Sequence, residues 1–117
     1  MAGNKIEEMR IQSSFHLWMN QNHPELRGLC YHIQNESNKK SHSYDVSIGI
    51  VSGIPDYHIL QSNSEYKSIY IEFKAQDGKL SIAQIETHEK IRSAGHFVCT
   101  AYSKQEAIDY FLDYLYS

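Results

Sequence analysis

The run Ile69-Tyr70-Ile71-Glu72-Phe73-Lys74, the turn Asp77-Gly78, the opening Ser81-Ile82-Ala83-Gln84, the stop at Gly95 and the run Phe97-Val98-Cys99-Thr100-Ala101 together decide how the rest of the chain reads. The first and last runs are rich in β-branched and aromatic residues and predict strands. Between them, Ser81-x-x-Gln84 is a capping box, opening a helix that passes through Ile85, His88 and Ile91 to a C-terminal glycine at Gly95. A helix placed between two strands is the crossover that parallel strands require, and it is right-handed by default. The stretch therefore predicts a βαβ unit.

Upstream, Tyr57 to Leu60 predicts a strand whose connection to Ile69, Gln61 to Lys67, is short enough for an antiparallel hairpin. Leu29 to Ile33 follows a break at Gly28 and predicts another short strand, and Asn35 to Ser43 reads as a loop by composition. Residues 44–51 have two readings: alternation at Val46, Ile48 and Ile50 suits a strand, and a short helix ending near Gly49 fits as well. From Asn4 to about Gln21 the spacing of Ile11, Phe15, Trp18 and Met19 forms one apolar stripe at helical period. Asn4 is the expected N-cap, Glu7 its partner, and Pro24 the stop. Downstream, Ser103-x-x-Glu106 opens a closing helix with Ala107, Ile108, Phe111, Leu112 and Leu115 on one face and Tyr110, Tyr114 and Tyr116 around its edge. The order is an α-β-β-β-α-β-α core: an α/β fold with one mixed β-sheet flanked by helices, read as a single domain over residues 1–117.

At 117 residues, 41% hydrophobic and 21% charged, the chain can bury a core without a disulfide framework or structural metal, and disordered or collagen-like classes are excluded. Cys30 and Cys99 stand far apart in apolar surroundings and read as free buried thiols, and the seven histidines follow no zinc-site spacing. No apolar run approaches the roughly 20 residues of a membrane span, and Met1 to Lys5 leads into no signal-peptide core. The expectation is a cytoplasmic protein without membrane contact. A net charge of −3 argues against nonspecific coating of nucleic acid through a broad basic field, but leaves room for a DNA enzyme with a local basic rim and acidic metal ligands. Lys39, Lys40, Lys67, Lys79, Lys90 and Arg92 read either as solvated surface or as such phosphate contacts.

The chemistry concentrates at Gly53-Ile54-Pro55-Asp56 and Glu72-Phe73-Lys74. Residues two apart on a strand face one side, so Glu72 and Lys74 project together, and the hairpin carries Asp56 to a neighbouring position. Pro-Asp is a common turn and Glu-x-Lys a common surface pair. What points to chemistry is their combination on an otherwise apolar strand, with a third carboxylate, Glu8, set inside the apolar stripe of the first helix. Carboxylate oxygens suit hard divalent cations such as Mg²⁺ and Mn²⁺, and a lysine beside them can orient an attacking water.

These runs, continued by Gly78-Lys79-Leu80-Ser81-x-x-Gln84 and Gly95-His96-Phe97-Val98, resemble the virus-type replication-repair nuclease domain (VRR-NUC) of the PD-(D/E)XK superfamily. The similarity is continuous from about residue 53 to the C-terminus, and looser over Glu8-x-x-x-Gln12 and the strand ending at Asn35. The resemblance implies a restriction-endonuclease-like fold with Asp56 and Glu72 as metal ligands, the Phe73 carbonyl as a backbone ligand and Lys74 as the residue that positions water. Glu8 becomes the first-helix carboxylate, in preference to Glu7. For Gln84 two roles stand side by side: a catalytic or DNA-contacting one, and the capping partner of Ser81. It also implies a small viral or bacterial homodimer that cuts branched DNA such as four-way Holliday junctions with Mg²⁺ or Mn²⁺. Two alternatives remain, a restriction-like nuclease of ordinary duplex and a catalytically inactive nuclease fold that binds DNA.

Overall fold

The computed structural model describes residues 2–34 and 46–117. Helix α1 (Ala2–Asn22) buries Ile11, Phe15 and Met19 and packs Trp18 against the same core. It begins two residues before Asn4, so Asn4 is an interior position and not the expected N-cap. Neither Ala2 nor Gly3 is a proline, and once a helix is nucleated each added residue gains a hydrogen bond, which here outweighs the poor helix propensity of glycine. Glu7, released from capping, instead accepts from Arg10 at 3.1 Å on the exposed face. The helix ends ahead of Pro24, which has no N–H to continue it and opens a single 3-10 turn, Pro24–Leu26.

Four strands follow: β1 (Cys30–His32), β2 (Tyr57–Ile59), β3 (Ile69–Phe73) and β4 (Phe97–Ala101). They lie in that spatial order, with β1–β2 and β2–β3 antiparallel and β3–β4 parallel. Helix α2 (Ile82–Ser93) is the crossover between β3 and β4, and α3 (Lys104–Leu115) closes the chain. The α-β-β-β-α-β-α order and mixed sheet are those expected. Val46 and Ser47 are helical and lead into a turn at Ile48 and Gly49, where Gly49 has φ 92. The helical alternative holds there, and the strand reading does not: Val46 and Ile48 are both exposed, so their alternation marks no buried face. The loop expected at Asn35 to Ser43, with Lys39 and Lys40, lies outside the described residues.

Alternation along the strands divides the sheet. Tyr57, Ile59, Ile69, Ile71 and Phe73, with Cys99 and Ala101, form the face that packs against α1 and against Ala107, Ile108 and Phe111 of α3. Phe15 sits centrally, its ring 5.5 Å from Tyr57 and 5.8 Å from Phe73, and burial of a side chain of this size contributes roughly 1.5–3 kcal/mol. Tyr114, expected at the helix edge, is instead buried, while Leu112 and Leu115 are only partly so. The β2–β3 connection folds over α3 and lets the phenol donate to the Gln61 carbonyl at 2.5 Å, which satisfies the polar end of a buried ring. Ser103 caps α3, but Glu106 reaches past it to the Tyr102 N–H at 2.8 Å, so the expected capping box is not closed on its own cap residue.

His58, Tyr70 and Glu72 alternate onto the opposite face, part of which α2 covers. The residue α2 buries is His88, whereas Ile82 and Ile85 are exposed. Among the described residues, no helix is long and apolar enough to cross a membrane.

Candidate active site

The β2–β3 register places Tyr57 opposite Ile71, which brings Asp56, one residue ahead of β2, opposite Glu72. Asp56 Oδ2 accepts the Phe73 N–H at 2.8 Å, and its own carbonyl accepts from Ile33 at 2.7 Å, so the carboxylate is tied to the end of β3. The approach to Asp56 is set by Ser52 and Gly53. Thr87 of α2 donates to the Ser52 carbonyl at 2.7 Å. Gly53 has φ +79, and a Cβ there would stand 2.3 Å from the Ala83 carbonyl oxygen, so only glycine allows the loop to lie on the first turn of α2.

Helix α1 delivers Glu8, whose Oε2 accepts the Ala75 N–H at 3.3 Å just beyond β3. Glu7 points away, toward Arg10. Gln84 takes the expected capping role, its Oε1 accepting from the Ser81 N–H at 2.8 Å, and makes a contact the sequence did not announce, its Nε2 donating to Glu72 Oε2 at 3.1 Å. Glu8, Asp56, Glu72, Lys74 and Gln84 thus line one cleft of about 300 Å³, with Lys5 at its α1 side. Of the other expected cations, Arg92 is bound to Glu89 and to the Val98 carbonyl, a structural engagement.

Glu72 is 2% exposed. Burial, followed by the neighbouring Asp56 and Glu8 and opposed by Lys74, pushes its carboxyl up to about 9, so at neutral pH it carries a proton in the metal-free protein. Behind it stands His88, fully buried, which burial and then Arg92 push down to about 4. His88 Nε2 is 3.4 Å from Glu72 Oε1, but the two are not aligned for a hydrogen bond, and Glu72 Oε1 and both ring nitrogens of His88 lack any hydrogen-bond partner. Sequence reasoning passed over His88 and Lys5. The signal for His88 was its position four residues after Gln84, which puts both on one face of α2.

Two register positions from Asp56 and Glu72, on the same face, His58 stacks on Tyr70 at 4.1 Å. It also meets the Tyr31 hydroxyl at 2.6 Å and Ser68 Oγ at 2.8 Å, and Ser68 Oγ is 2.6 Å from His96. Burial, and then His96, lower His58 to about 4.

A solved structure described as a VRR_NUC domain protein matches the fold over 92% of this chain and 86% of that one, with a TM-score of 0.78 and 21% sequence identity. The fold is that of a VRR_NUC domain protein. No protein-family profile matches the sequence, and no curated protein does.

The oxygen-lined cleft raises the question of a cation. Among the described residues, no three His, Cys, Asp or Glu side chains group tightly enough to form a complete metal centre. The donors are hard oxygens all the same, and Mg²⁺ commonly uses only one or two carboxylates and keeps several waters. A carboxyl kept protonated by burial and by the carboxylates beside it, with Glu72 Oε1 lacking a hydrogen-bond partner, is what a divalent cation would neutralise. The residues fit such an ion: Asp56 and Glu72 as its carboxylates, with Glu8 and the Phe73 carbonyl as the further oxygens.

Proposed function

We propose that this chain is a divalent-metal-dependent endodeoxyribonuclease that hydrolyses phosphodiester bonds in branched DNA such as four-way Holliday junctions. Its cofactor is Mg²⁺ or Mn²⁺, its working unit a homodimer, and its compartment the cytoplasm of a bacterium or of a virus-infected cell. The observation that carries the reading is the meeting of Asp56 and the buried Glu72 across the β2–β3 register, with Lys74, one residue past β3, lining the same cleft. The VRR_NUC fold and the Gly-Ile-Pro-Asp and Glu-x-Lys runs support it.

Asp56, Glu72, Glu8 and the Phe73 carbonyl would hold the ion, which when bound polarises a phosphate and lowers the pKa of a water. Lys74 orients that water toward the phosphorus. Gln84, through its bond to Glu72 Oε2, keeps that carboxylate turned into the cleft. A two-fold dimer presents two such clefts to two strands, as symmetric resolution of a junction needs.

Matched linear, flap and four-way-junction DNAs, incubated with purified protein in Mg²⁺ or Mn²⁺, test the reading. Cutting should be confined to branched substrates, vanish in folded Asp56→Ala, and drop roughly 100-fold or more in Lys74→Ala. Cutting of linear duplex at the same rate would replace the junction assignment with a restriction-like one. DNA binding without cutting in either metal would replace the enzyme with a binding module.

A further inference from the structure

His88 has no place in the chemistry just described, and its surroundings are unusual. It is fully buried, yet neither ring nitrogen has a hydrogen-bond partner, a situation that costs the folded state the hydration of each orphaned group. An apolar side chain of similar volume would fill the space without that cost. The polar atom that Nε2 faces is Glu72 Oε1, itself buried and unpartnered, at 3.4 Å. The separation is within reach of a hydrogen bond and the alignment is what falls short, so a small turn of the imidazole or of the carboxylate closes the contact. One helical turn earlier, Gln84 already donates to the other oxygen of the same carboxylate at 3.1 Å.

We propose that His88 is a positioning residue for Glu72: α2 grips the carboxylate by both oxygens, Gln84 on Oε2 and His88 Nε2–H on Oε1, and so sets the orientation in which Glu72 meets a divalent cation. A carboxylate offers about four lone-pair sites, so two donors from α2 leave the others for the ion. Because α2 is also pinned to the Ser52–Gly53 loop that leads to Asp56, one helix sets both carboxylates. The inference rests on the metal-dependent reading above and adds a residue to it.

The test compares full-length wild type with His88→Leu, His88→Gln and Glu72→Ala, by calorimetric titration with MnCl₂ and by thermal unfolding in EDTA. His88→Met is a second apolar variant should His88→Leu not fold. The apolar variant should unfold at the same temperature as wild type or higher, because it removes two orphaned polar atoms, yet bind Mn²⁺ about 10- to 100-fold more weakly. His88→Gln, whose amide nitrogen reaches roughly the place of Nε2, should recover most of that affinity. A folded apolar variant that binds Mn²⁺ like wild type overturns the inference, as does a His88→Gln that loses as much as the apolar variant. If wild type binds Mn²⁺ and Glu72→Ala does not, such a failure belongs to His88 alone. If folded wild type binds no Mn²⁺, the metal-dependent reading falls and the inference falls with it.

Discussion

Replacing Glu72 by glutamine should stabilise the metal-free protein, and by an amount that grows with pH. In the folded chain the Glu72 carboxyl is raised to about 9 from an ordinary value of 4.5. The folded state therefore keeps a proton that the unfolded chain releases. For a raised group, the stability contribution is fully present below the unfolded pKa and is lost as pH rises through the folded one. Between about pH 4.5 and 9 the contribution of Glu72 alone falls by about 1.4 kcal/mol per pH unit, which reaches about 5 kcal/mol by pH 8. Domains of this kind have roughly 5–15 kcal/mol in total, so the effect is large. Glutamine has nearly the same shape, can still accept from Gln84, and does not titrate. Urea unfolding in EDTA at pH 5 and pH 8 measures the difference. The two proteins should be close at pH 5 and separate by several kcal/mol at pH 8, with Glu72→Gln the more stable. Adding Mn²⁺ at pH 8 should restore wild type and leave the variant unmoved. A gap between the two that is the same at both pH values would refute the reasoning, because it would mean that Glu72 is not held protonated by its surroundings.

On the acid side the sign reverses, through His58 and His88, both lowered to about 4 from 6.5. Their contribution is present above pH 6.5 and is lost as pH falls toward 4, about 3 kcal/mol for each. With Glu72 acting in the opposite sense, these three groups place the stability optimum of the metal-free protein near pH 6.5, and His58→Gln should flatten the acid limb in pH-dependent urea melts. Gly53→Ala should cost roughly 2 kcal/mol or more and abolish cutting, since its Cβ meets the Ala83 carbonyl and displaces the loop that presents Asp56. Unchanged unfolding and unchanged cleavage would show that the loop has room to move.

The elements whose signals are local were legible. The capping box at Ser81 and Gln84, the stop at Gly95 and the apolar strands on either side specify the βαβ unit through neighbours a few residues apart. A short connection specified the β2–β3 hairpin, and with it the approach of Asp56 to Glu72. Local signals also misled where a tertiary alternative was available. Asn4 lost its cap to two further helical residues, and Glu106 turned from Ser103 to Tyr102. The alternation at Val46, Ile48 and Ile50 belonged to no buried face, because apolar spacing says which residues share a side and not whether anything covers that side.

The sequence by itself determined the order of elements, the strand that carries Glu72 and ends just before Lys74, and the hairpin that brings Asp56 alongside, since hydrogen-bond periodicity and backbone sterics act over a few residues. Only the tertiary structure decided that Glu8 reaches the end of β3 while Glu7 does not, that Gln84 both caps its helix and holds Glu72, and that His88 is buried behind it. The physical reason is that burial and electrostatic fields act through space. The protonation of Glu72 depends first on its burial under α2 and then on carboxylates carried by the loop before β2 and by α1, which no periodicity along the chain connects.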